Sequence, residues 1–130
     1  MFNTIPEIIE DLKSGRMVIV IDDEGRENEG DLLMAAEFVR PEDINVMAKE
    51  ARGLICVPME QERLDQLDLH PMKDESNQKH QKCNTGWEIS VDASCGVTTG
   101  ISAFDRARTV KVLIDPRSKL ATVRGFGEET

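Results

Sequence analysis

The alternation of apolar and polar positions divides the chain into short helical and strand-like segments. Thr4 and Glu7 stand at S/T-x-x-E capping spacing ahead of Ile8, Ile9 and Leu12, which predicts a helix that Gly15 ends. Met17 to Ile21 is an unbroken, β-branched apolar run, the pattern of a central strand covered on both faces. After the polar stretch Asp22 to Asp31 comes apolar Leu32 to Ala36, which predicts a second short strand. Pro41, Glu42 and Asp43 open a second helix, because proline suits the first turn and acids favour the positive end of the helix dipole. Its buried stripe is Ile44, Met47 and Ala48, and Gly53 closes it. Leu54 to Val57 predicts another buried strand, and Glu60 to Leu69 a short helix with Leu64 and Leu67 inward.

From Lys73 to Asn84 the chain is polar and unpatterned, as in an exposed loop. Ile89 to Ala93 predicts a brief strand, and His70 beside Pro71 a surface turn. Ser102 and Asp105 repeat the capping spacing before Ala103, Ala107, Val110 and Leu113, a helix that Pro116 stops. The pattern then fades, so residues 117–130 are expected to form a frayed tail. Strand and helix alternate throughout. The predicted fold class is therefore α+β or α/β, a mixed sheet layered with helices in one domain spanning 1–130.

Composition narrows the function. With 39% hydrophobic residues, 130 residues can bury one core, and with four Phe, one Trp and no Tyr that core is aliphatic. So few aromatics disfavour base stacking on single-stranded nucleic acid. The 25 acidic residues outnumber 16 basic ones for a net charge of −9, which argues against nucleic acid and against an anionic membrane. No apolar run approaches the ~20 residues of a membrane span, and no secretory leader pattern opens the chain. Cys56, Cys83 and Cys95 lack C-x-x-C spacing, so they read as reduced thiols in a cytoplasmic protein.

The chemistry concentrates between Asp22 and Asp31, where six carboxylates fall in ten residues directly after a strand. Such a run is often only a solvated loop, but its place at a strand end is where ligand sites gather. Crowded carboxylates hold a hard divalent cation, or serve as general acids and bases with raised pKa values. The spacing does not fit an EF-hand. Arg26, inside the run, either neutralises its neighbours or forks onto a phosphate or carboxylate of a substrate. Gly96 to Gly100 is a glycine-bracketed turn before a helix, where a phosphate could sit or where the chain merely turns. Cys56 reads as a buried small hydrophobe, and His80, Cys83 and Cys95 match no zinc spacing. Dinucleotide, P-loop, zincin and serine-hydrolase motifs are absent.

Asp22-Asp23-Glu24, then Arg26-Glu27-Asn28-Glu29-Gly30-Asp31, then Gly53-Leu54-Ile55-Cys56 and Gly96-Val97-Thr98-Thr99-Gly100-Ile101-Ser102 closely resemble the 3,4-dihydroxy-2-butanone 4-phosphate synthase family. The resemblance runs from roughly residue 3 to 116. It implies conversion of ribulose 5-phosphate to a four-carbon riboflavin precursor and formate, by a cytoplasmic homodimer using Mg²⁺ or Mn²⁺. By the family pattern Glu27 is a metal ligand that also meets substrate, Arg26 and Asp31 contact the sugar phosphate, Glu29 and Asp22 serve acid–base chemistry, and Cys56 and Thr98 line the pocket.

The family continues past the helix ending near Asp115 into a Pro-Gly-His run, an Arg-x-Gly-His-Thr motif and a catalytic glutamate. None of these stands before Thr130, and Gly86-Trp87-Glu88 departs from the family pattern. The chain is thus expected to be a C-terminally shortened synthase domain that needs the missing segment for full turnover. Two other readings stay open: a short homologue acting as a binding or assembly module, and a generic Mg²⁺-dependent sugar-phosphate domain.

Overall fold

The computed structural model describes residues 2–72 and 86–125. Helices α1 (Ile5–Lys13), α2 (Pro41–Val46), α3 (Gln61–Gln66) and α4 (Ala103–Ile114) alternate with strands β1 (Val18–Ile21), β2 (Gly30–Leu33), β3 (Val91–Ala93) and β4 (Val123–Gly125). The mixture is α+β. Its strands pair as two antiparallel ribbons, β1 with β2 and β3 with β4, with Val18 opposite Leu33 and Ala93 opposite Val123.

The capping signals were sound guides to helix starts. Glu7 accepts hydrogen bonds from Thr4 N (2.7 Å) and Thr4 Oγ1 (2.9 Å), which satisfies an otherwise orphaned donor at the head of α1. At the head of α4 the Ser102 hydroxyl accepts from Asp105 N at 3.0 Å. Arg40 precedes α2, and its N–H and guanidinium both donate to the Asp43 carboxylate.

Helix α4 is the axis of the molecule, because apolar residues on both its flanks are buried. Ala107 and Val110 pack with Val39 and Ile44, while Val112 and Leu113 pack with Leu67, Leu69, Ala93 and Val123. Val57 touches both clusters. The end of α4 is secured from α3: the Arg63 guanidinium donates to the carbonyls of Leu113 (2.9 Å), Asp115 (2.7 Å) and Ser118 (3.2 Å). The Leu113 carbonyl is one that a helix terminus leaves without an internal partner, and the other two belong to the turn that follows.

Several local expectations are corrected. Met17–Ile21 is not a doubly covered central strand: only Val18 of β1 is buried, Ile19 is 65% exposed, and among the described residues β2 is its one ladder partner. The second strand starts at Gly30 and ends at Leu33, because the acidic loop folds back into the ladder with Ile21 opposite Gly30. Leu54–Val57 forms no strand, and Leu54 is 82% exposed. Ala48 is exposed in a wide turn over Met47–Ala51, which Arg52 closes at φ 60, one residue before the expected Gly53. The segment beyond 117 is not simply frayed: Val123 is buried and β4 extends β3 into a ladder. The expected loop Lys73–Asn84 and residues 126–130 lie outside the described residues.

Candidate active site

The acidic loop is organised by one of its own carboxylates. Asp22 stands at the exit of β1, and its Oδ1 accepts from Glu29 N at 2.8 Å. Its Oδ2 accepts from Glu27 N (3.0 Å) and Arg26 Nη1 (3.0 Å). The backbone closes the same ring, with Asp22 N donating to Glu29 O at 3.2 Å. Inside it, Asp23 Oδ1 accepts from Gly25 N (2.7 Å), and Asn28 takes the left-handed conformation at φ 53 that lets the chain double back. Arg26 Nη1 also lies 3.2 Å from Glu27 Oε2.

For Asp22 this arrangement overturns the expectation of a raised pKa. The Glu29 N–H holds the Asp22 carboxyl below the usual carboxylate range, against the effect of its partial burial, and the Glu27 N–H and Arg26 add to it. Asp22 is therefore an ionised acceptor near neutral pH. Glu27 and Glu29 thus give their backbone N–H groups to Asp22, while their side chains lie on an exposed loop, Glu27 Oε2 against Arg26.

Asp31 lies on β2 opposite Val20. Cys56 is exposed rather than buried in a strand, since its segment has no ladder. Its Sγ donates weakly to Leu54 O at 3.8 Å. Partial desolvation raises the Cys56 pKa and the Asp31 carboxylate pushes in the same direction, so the thiol is protonated at neutral pH. Asp31 and Cys56, 25 positions apart in sequence, thus share one electrostatic neighbourhood.

Thr98 belongs to a second group, centred on Asp105. Asp105 Oδ1 accepts from Thr98 N (3.1 Å), and Oδ2 accepts from Thr98 Oγ1 (2.8 Å) and Gly100 N (3.1 Å). Three of the donors considered for a phosphate at this turn, Thr98 N, Thr98 Oγ1 and Gly100 N, are occupied by the chain's own carboxylate. Gly100 has φ +81, and a Cβ there would also press on the Asp92 carboxylate, so the position favours glycine.

Against known proteins, the family model described as 3,4-dihydroxy-2-butanone 4-phosphate synthase matches residues 6–128. The chain belongs to this family. A 3,4-dihydroxy-2-butanone 4-phosphate synthase of Pseudomonas aeruginosa is 57% identical over 109 residues, covering 84% of this chain and 29% of that protein. The riboflavin biosynthesis protein RibBA of Aquifex aeolicus is 55% identical over 120 residues, covering 91% of this chain and 29% of its own length. A solved synthase in complex with two magnesium ions superposes with TM-score 0.88 at 40% identity, over 95% of this chain and 56% of that one. The chain thus spans under a third of these curated relatives and a little over half of the solved synthase.

Among the synthase-family motifs, Asp22, Arg26, Glu27 and Glu29 are joined by direct hydrogen bonds, Asp31 neighbours Cys56, and Thr98 is held by Asp105. Sequence reasoning missed Asp105 as anything beyond a helix cap. The signal was present as Thr-x-Gly with a helix-entry Asp seven and five residues later. It also missed Arg63, which nothing in local pattern marks. Among the described residues no three His, Cys, Asp or Glu side chains converge as a metal cluster. The oxygen donors of Glu27 still suit Mg²⁺, which keeps several waters and takes one or two protein carboxylates. No helix among the described residues is long and apolar enough to cross a membrane.

Proposed function

We propose that this chain carries part of the active site for conversion of ribulose 5-phosphate to 3,4-dihydroxy-2-butanone 4-phosphate and formate. The observation that carries it is the Asp22-centred loop, which gathers Arg26, Glu27 and Glu29 within a chain matching the synthase family over residues 6–128. Arg26, Asp31 and Thr98 bind the sugar phosphate, and Glu27 meets both substrate and metal. An arginine suits this work because it holds an anion without titrating. Glu29, Asp22 and Cys56 form the catalytic group. With its oxygens occupied, Asp22 acts chiefly by keeping Glu27 and Glu29 in place, and the protonated Cys56 thiol offers a neutral proton donor beside Asp31.

Glu27 would hold Mg²⁺ or Mn²⁺, which polarises substrate oxygens when bound. Free thiols at Cys56 and Cys95 support a reducing, cytoplasmic setting. Exposed Ile19, Val20, Ile21 and Leu54 support a homodimer, since that much apolar surface is usually covered.

Calorimetry of the purified chain with ribulose 5-phosphate tests the assignment, with formate release as a second readout. Retention of the sugar phosphate is expected to require Mg²⁺ or Mn²⁺ and to weaken by about tenfold or more in Glu27→Gln. Metal-independent binding, or a Glu27→Gln variant that binds like wild type, would overturn the metal assignment. Equal affinity for unrelated sugar phosphates would favour the generic sugar-phosphate domain instead.

A further inference from the structure

Asp105 is a carboxylate held at 5% exposure that the proposed chemistry does not use. Its oxygens take three hydrogen bonds from one turn: Thr98 N, Thr98 Oγ1 and Gly100 N. Its backbone is fixed as well, because Asp105 N donates to Ser102 and Asp105 O accepts from Thr109 Oγ1 at 3.1 Å. Thr109 Oγ1 in turn accepts from Ala93 N at 3.1 Å, which ties this group to β3. On the far side of the turn, the Asp92 carboxylate rests against Gly100. A helix cap needs only the Ser102 contact; the three bonds to the turn are additional.

We propose that Asp105 is a positioning residue of the sugar-phosphate site, which fixes Thr98 with its hydroxyl as an acceptor toward substrate. The inference rests on the assignment of Thr98 to substrate binding given above. An ionised carboxylate only accepts, so at 2.8 Å the Thr98 hydroxyl proton points to Asp105. Its two lone pairs can meet only donors. A phosphate oxygen at neutral pH is not one, whereas a sugar hydroxyl is. The Thr98 N–H is spent in the same way, so this residue selects the polyol part of the ligand and leaves the phosphate to cations such as Arg26. The lowered pKa of Asp105, caused first by the Thr98 hydroxyl, agrees with an ionised acceptor.

A double-mutant cycle in the full chain tests this, with Thr98→Val, Asp105→Asn and the pair, each titrated with ribulose 5-phosphate and with inorganic phosphate. Thr98→Val is expected to weaken ribulose 5-phosphate by about fivefold and leave inorganic phosphate unchanged. Asp105→Asn is expected to weaken it at least as much, and the pair no more than Asp105→Asn alone, because one acts through the other. Thr98→Ser should restore wild-type affinity. Additive losses, or a loss of inorganic phosphate affinity in Thr98→Val, would overturn the proposal. Should Asp105→Asn not fold, Thr98→Val decides alone, since it keeps the carboxylate and both backbone bonds. If the wild-type chain retains no ribulose 5-phosphate, the sugar-phosphate assignment itself fails. Amide exchange then judges Asp105 separately: Thr98 and Gly100 must exchange faster in Asp105→Asn while Ala93 does not, and unchanged rates would refute the anchoring.

Discussion

The loop after β1 and the turn before α4 solve the same problem with opposite outcomes. Each is a polar bend that an aspartate organises by gathering hydrogen-bond donors: Asp22 takes those of Arg26, Glu27 and Glu29, and Asp105 takes those of Thr98 and Gly100. Asp105 is buried under the bend it holds, whereas the loop around Asp22 is exposed. In the first case the donors are spent on stability, since a buried N–H without a partner is costly. In the second the anchor fixes backbone on an exposed loop, where Arg26 is paired with Asp22 and Glu27 and the Glu29 side chain lies at the surface. One bend is built on a buried anchor and the other on a half-buried one in an exposed loop.

The largest predicted effect is at the buried bend. Gly100→Ala forces a Cβ onto Asp92 at a backbone conformation that side chains rarely adopt, and it is expected to cost about 3 kcal/mol in chemical denaturation. A loss under about 1 kcal/mol would mean that the bend is as pliant as the loop.

Acid sensitivity comes next. Asp105 is held below its ordinary pKa by Thr98, and Asp115 is lowered to about 2, first by the Arg117 side chain. A depressed folded-state pKa contributes stability that is present above the unfolded value of about 3.9 and lost as pH falls through the folded value. Thermal midpoints are therefore expected to fall between about pH 4 and pH 2, with a shallower fall in Asp105→Asn. A slope unchanged by Asp105→Asn would sever the link between this bend and acid stability.

At the exposed loop, Asp22→Asn is expected to shift the thermal midpoint little, within the ±0.5 kcal/mol typical of surface changes, while Glu29 N–H exchange speeds up and ribulose 5-phosphate retention falls. A large stability loss there would erase the contrast between the two bends. The smallest effect is expected for Gly25→Ala, whose Cβ would meet only Asp23 Oδ1 at 3.0 Å on an exposed loop. Denaturation midpoints indistinguishable from wild type would confirm that this loop tolerates bulk where Gly100 does not.

How much of this was legible in sequence depends on how local each cause is. The starts of α1 and α4 were readable because Thr4–Glu7 and Ser102–Asp105 act over three residues. The loop's concentration of charge was readable because its six carboxylates and Arg26 fall within ten residues. Burial was not. The run Met17–Ile21 and the segment Leu54–Val57 carry apolar residues, yet Ile19 and Leu54 face outward. An apolar run records how strongly a segment avoids water, not which surface relieves it. β4 was missed because its three residues gain strand character only from pairing with β3 across about thirty positions of chain. The pKa direction of Asp22 was misjudged for a related reason: residue spacing displays like charges, but not the N–H groups that fold back onto them.

The Arg63 clamp has a mechanical consequence. Helix α4 is gripped by side-chain contacts at both tips, by Asp105 at its entry and by Arg63 across Leu113, Asp115 and Ser118 at its exit. Sliding along its own axis would shear one grip or the other. Rocking about the pivot at Ala107 and Val110 would lever the two tips in opposite senses. The helix is therefore a strut pinned at both ends, tied to α3 at its exit and to the Thr98 bend at its entry.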